Sequence, residues 1–173
     1  MKIFKLSELN NFEFFLSNAY NYQEKKYNMK CFLKKKDFSN RVIIQTPKLQ
    51  LESNINSGYL VMTGYNNTKY NKLLEFINNL ESYVSDNIKT KFKKKIELRS
   101  NFVDNNKLII NIKDKNIPIF NKTNNLINSS DVNIYSNIIS ILELNHIWID
   151  LNIKKFGLNW NINQIKVYPE LNY

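Results

Sequence analysis

Trp148 and Trp160 are the two tryptophans of the chain, and between them lie Lys154, Lys155, Phe156 and Gly157. Large flat rings beside mobile cations suit one kind of chemistry well. The rings stack on bases while the lysines attract phosphate. Core packing is the competing use of both indoles, because tryptophan is heavily buried on average. Strict alternation along Leu158–Tyr168 would set Trp160 with Ile162 and Gln164, and Ile165 and Val167 on the other face. A bulge near Asn163 would restore one apolar face and bury Trp160.

Other cations gather in two places. Lys34, Lys35 and Lys36 form a triplet, and Lys93, Lys94 and Lys95 close a run that begins at Lys89, with Arg99 beyond. All are phosphate candidates. The bland alternatives are a solvated turn for the first group and a helix C-terminus, where the dipole favours cations, for the second. Tyr59 and Tyr65, at the ends of the Gly58–Gly64 stretch, can stack or pack. Lysine is a point charge that tracks a backbone and reads bases poorly. Only Arg41 and Arg99 are arginine, so sequence-tolerant binding is expected.

The residue types that other chemistries need are sparse. His146 is the one histidine and Cys31 the one cysteine. A Ser-His-Asp triad, a zinc site and an internal disulfide are therefore not expected. His146 lies in an apolar run and reads as a satisfied strand histidine, and Cys31 as a small buried one. No phosphate-cradling glycine loop is present. A two-metal nuclease would need Asp104, Asp114 and Glu143 to converge, which nothing in the order of residues favours. The expectation is a non-enzyme without cofactor or metal.

These candidates need elements to hold them. Ile138–Ile149 and Phe156–Val167 are β-branched and aromatic runs around a polar linker, Asp150–Lys155, and predict a hairpin. Met29–Leu33 and Arg41–Thr46, the latter stopped by Pro47, predict two earlier strands paired as a hairpin. Gly58–Gly64 predicts a third. Tyr70, Leu73, Leu74, Ile77, Leu80 and Val84 then recur at helical spacing, with Asn66, Asn67 or Thr68 as cap. Ile96–Val103, Leu108–Ile112 and Ile117–Phe120 predict short strands, and Asn121–Asp131 a polar loop. Residues 1–27 are expected to hold a strand and then a short helix. Strands, one helix and more strands predict a mainly β fold: a β-barrel with an inserted helix, like an oligonucleotide-binding (OB) barrel elaborated with extra strands.

At 173 residues, one domain over 1–173 is expected, with 43% hydrophobic residues to build its core. The net charge is +10, from 25 basic and 15 acidic residues. A polyanionic partner follows, although A/T-rich codon usage also enriches lysine and asparagine. No apolar run approaches the ~20 residues of a membrane helix, and charge interrupts the N-terminus too early for a secretory signal. A soluble cytoplasmic protein with no membrane partner is expected.

Two stretches carry a resemblance. IIQTPKL, Ile43–Leu49, resembles a motif after an early strand in the single-stranded DNA-binding proteins of large nucleocytoplasmic DNA viruses, a family with relatives in podophages and yeast cytoplasmic linear plasmids. The closing stretch is similar to that family's C-terminal pattern at Trp148, Lys154–Lys155, Phe156–Gly157, Trp160, Gln164 and Val167. The resemblance implies an OB fold and sequence-independent binding of single-stranded DNA in replication, recombination or repair. It adds Phe156 to the contact candidates, and replication proteins and a homodimer to the partners to be tested. That family often ends in an acidic recruiting tail; Tyr168–Tyr173 holds one acidic residue, Glu170, so recruitment through such a tail is not expected.

Overall fold

The computed structural model describes residues 2–10, 12–36, 38–64, 67–103, 107–112 and 116–168. Its frame is the long closing hairpin. To reach it in chain order, Phe4 bridges to Ile44 and a one-turn helix follows, α1 (Leu6–Leu9). The strand expected before that helix is only this bridge. The segment continues instead as β1 (Glu13–Leu16), β2 (Tyr20–Gln23) and β3 (Lys26–Met29).

Next come β4 (Cys31–Lys35), β5 (Phe38–Arg41) and β6 (Ile43–Gln45). Of the expected pairing of Met29–Leu33 with Arg41–Thr46, only Phe32 opposite Arg41 is formed. β4 pairs with β5, and these join β1 in a separate three-stranded sheet ordered β1-β4-β5. The reason is burial: Val42, Ile43 and Ile44 are all buried, so this stretch needs cover on both faces. It finds that cover in the main sheet. Thr46 then replaces a ladder group ahead of Pro47, its Oγ1 accepting from the Ser140 N–H at 2.9 Å.

β7 (Leu49–Leu51) and β8 (Tyr59–Thr63) lead to the long helix α2 (Thr68–Phe92). Asn67 caps it, its Oδ1 accepting from the N–H of Lys69 at 2.9 Å and of Tyr70 at 3.3 Å. Of the predicted stripe, Tyr70, Leu73, Ile77, Leu80 and Val84 are buried and Leu74 is half-buried; Ile88 continues it. The helix extends further than expected, through Lys89 and Lys91. Lys93 ends it in the left-handed region at φ 48°, its N–H donating to the Lys89 carbonyl.

β9 (Glu97–Arg99) and β10 (Phe102–Val103) follow, interrupted at Ser100 and Asn101 where one strand was expected. β11 (Lys107–Asn111), β12 (Ile119–Phe120) and β13 (Leu126–Ile127) precede β14 (Asn137–Asp150) and β15 (Lys155–Tyr168). The expected polar loop at 121–131 thus contains β13. β14 and β15 pair antiparallel along their length, with one extra residue on each arm, Asn145 and Asn163. Each bulge offsets a break in alternation. Leu142, Leu144, Ile147 and Ile149 all face inward, as do Trp160, Ile162, Ile165 and Val167.

β14 also receives β3, β6 and β7 along its other edge. β7, β8 and β11 continue antiparallel, and β10 adds to β11. β9 lies parallel on β15. Only Ser100 and Asn101 separate β9 from β10, so the chain itself carries the sheet from its β15 side back to its β11 side, barrel-like, with α2 inserted between β8 and β9. No helix among the described residues is long and apolar enough to cross a membrane.

Candidate nucleic-acid interface

The barrel's closing register puts three residues in one row. Trp148 of β14 pairs with Gly157 of β15, and Gly157 pairs with Arg99 of β9. A Cβ at Gly157 would lie 2.9 Å from the indole Cζ2 and Nε1. Only a glycine there lets the ring lie against the β15 backbone. Trp148 is half-buried and Arg99 exposed. They wall a cleft of about 740 Å³, with Tyr59, Val61 and Ile109 across from them and Asn101, Asn111 and Asn159 as polar lining. Tyr59 is 51% exposed. A ring, a guanidinium and a tyrosine around one opening can stack a base and hold its phosphate.

The corner carrying Arg99 is fastened from the helix. Glu81, on α2 and 5% exposed, accepts from Ser100 Oγ at 3.1 and 3.0 Å and from the Asn101 N–H at 3.3 Å. Asn101 in turn donates its side-chain amide to the Ile109 carbonyl and accepts from the Ile109 N–H. Burial raises the Glu81 carboxyl above its ordinary range, against the lowering effect of the Asn101 N–H and Ser100 hydroxyl. Sequence reasoning missed Glu81. Its signal was a carboxylate set between Ile77 and Val84 on the apolar stripe, a place where a charge needs a reason.

A basic edge adjoins the cleft. Lys94, Lys95 and Lys154 border a hollow of about 310 Å³ floored by Ile96 and Leu151, and the Glu97 N–H ties to the Lys154 carbonyl at 2.9 Å. Lys95 and Arg99 are four residues apart on extended chain, roughly 13 Å. Lys94, Lys95 and Lys154 form no ion pair among the described residues. Lys155 is exposed as well, opposite Asp150 and Glu97 in register, with Asp150 engaged by Lys26 at 3.9 Å.

No family model and no curated protein matches the chain. Among solved structures it is similar to the crystal structure of gp2.5, a single-stranded DNA binding protein encoded by bacteriophage T7. The TM-score is 0.57 at 10% sequence identity, covering 76% of this chain and 93% of that one. At that identity the likeness is one of fold, and it agrees with the mainly β, OB-fold-like barrel read from the order of elements.

The remaining candidates fall elsewhere. Trp160 is 2% exposed, with its indole N–H unpartnered among the described residues, and Phe156 is fully buried. Neither offers a face to a base; the bulge at Asn163 turns Trp160 inward. Lys34, Lys35 and Lys36 are exposed on the separate sheet and do not line the cleft. Lys93 is exposed beside the basic edge. Tyr65, Asp104, Asp114 and residues 169–173 lie outside the described residues. Glu143 is engaged by Arg41 and by Asn163, both at 2.9 Å. His146 lies 3.3 Å from the Asn159 amide within the β14–β15 ladder. Among the described residues no group of three His, Cys, Asp or Glu side chains could hold a metal.

Proposed function

We propose that this chain is a non-catalytic protein that binds single-stranded DNA without sequence preference, serving replication, recombination or repair of a viral or plasmid genome in the cytoplasm of its host. The observation that carries the reading is the row Trp148–Gly157–Arg99 opening beside the exposed Lys94, Lys95 and Lys154. The indole and Tyr59 supply stacking faces that accept any base, and the lysines supply charge that follows the backbone. The likeness of fold to the T7 protein supports it. Replication proteins would be its partners in that setting.

Titration of labelled oligo-dT and of a duplex of equal length, each at two salt concentrations, tests the proposal. Tighter binding of the single strand, weakening steeply with salt, is the expected result. Equal affinity for both would refute it.

A further inference from the structure

The three-stranded sheet has two unlike faces. Inward, Cys31 and Leu33 are buried, and the Phe14 ring packs 5.7 Å from Phe76 and 5.5 Å from Tyr83 of α2. Outward, the register aligns Phe15, Phe32 and Arg41 in one row, and Glu13, Lys34 and Ser39 in the next. Phe15 is 49% exposed, its ring centroid 6.5 Å from that of Phe32 at a 37° tilt. Lys34 Nζ stands 6.0 Å from the Phe15 centroid. The Arg41 guanidinium is tethered to Glu143 at 2.9 Å while 68% of its side chain remains exposed.

A phenylalanine left half in water on a strand face forgoes burial that a covering group would restore. On this face Lys34 and the largely exposed Arg41 stand against Glu13, with Glu143 mostly covered beside the guanidinium, so the exposed charge is cationic and favours an anionic covering group. A second copy of this chain would set like charge against like charge. A flat ring bordered by cations on an antiparallel sheet is a platform for a base and its phosphate.

We propose that this outer face is a second single-stranded DNA platform, with Phe15 stacking a base and Lys34 and Arg41 holding its phosphates, occupied by a stretch of the strand that extends beyond the cleft. The proposal rests on the single-stranded DNA reading of the cleft. It accounts for exposed cations on β4 that the cleft leaves unused. Two linked contacts on one strand reinforce each other through effective concentration, so long strands gain from the platform and short ones do not.

The test is fluorescence anisotropy of the full chain with oligo-dT of about 8 and about 30 nucleotides, lengths below and above a single OB-fold site. The proteins are the wild type, Phe15→Leu, Phe15→Tyr and Lys34→Gln. The Leu variant is expected to lose roughly 5- to 150-fold in affinity for the long strand, with short-strand affinity unchanged. Phe15→Tyr, which keeps the ring, retains wild-type affinity. Lys34→Gln, at an exposed position, weakens long-strand binding and flattens its salt dependence; it also serves if the Leu variant does not fold. Unchanged long-strand affinity in both the Leu and Gln variants overturns the platform while leaving the cleft standing. Equal losses on both lengths, or a wild-type dimer that Phe15→Leu dissociates in sedimentation, overturn it too. Failure of the wild type to bind either strand would instead sink the reading of the cleft, and the platform with it.

Discussion

Two tryptophans on one hairpin have opposite fates, and one unpaired asparagine on each arm helps decide which. Trp160 enters the interior because the bulge at Asn163 brings it into line with Ile165 and Val167. Trp148 stays on the outer face over Gly157. Trp160→Ala is therefore expected to destabilise the fold by about 3–5 kcal/mol, read as a lower urea midpoint. Trp148→Ala is expected to do its main damage elsewhere, lowering oligo-dT affinity by roughly 5- to 150-fold in the same titration that tests the function. If Trp160→Ala left stability intact and abolished binding, the assignment of the two indoles would be reversed. Gly157→Ala belongs with these. Its methyl would meet the indole at 2.9 Å, and the displaced ring should cost about 1–3 kcal/mol and weaken binding together.

Helix α2 acts on the cleft through one buried carboxylate. Its apolar stripe covers the barrel, while Glu81 reaches the Ser100–Asn101 corner that joins β9 to β10. Without those bonds the half-buried Asn101 N–H would lose its acceptor. The titration of Glu81 gives this element a pH signature. Its folded pKa is raised from an ordinary 4.5, so the folded state holds the proton more tightly than the unfolded chain. Its contribution to stability is full below the unfolded value and declines as pH rises through the folded one. Glu81→Gln is neutral throughout and should remove that decline. The difference between wild-type and variant urea midpoints, followed from acid to neutral pH, isolates it from the other carboxyls. A pH-independent difference would contradict the assignment.

At the scale of the whole molecule, two groups of cations among the 25 basic residues bear on binding, the edge at Lys94, Lys95 and Lys154 and the exposed triplet Lys34–Lys36. Each lysine that neutralises a phosphate of a single strand should contribute about 0.7 to the slope of log affinity against log salt. Replacing Lys94, Lys95 and Lys154 together with alanine is expected to make that slope shallower by about 2. An unaltered slope would show that this edge does not touch the strand.

The closing hairpin and the helix were legible because their signals are local. Ile138–Ile149 and Phe156–Val167 announce strands by side-chain shape, and Tyr70 to Val84 announce a helix by spacing. The bulge at Asn163 was legible too, as a break in alternation between Ile162 and Ile165. The pairing of Ile43–Gln45 with β14 was not, nor were the small sheet with its Phe15 row and the tie from Glu81 to Asn101. The neighbours of Trp148 and Arg99 come from strands far apart in the chain, brought into register only when the barrel closes. Composition, charge and periodicity are summed along the chain and survive without a fold. Which ring meets which cation depends on strand register, where a slip of one residue turns every side chain to the other face, and only the folded barrel sets it.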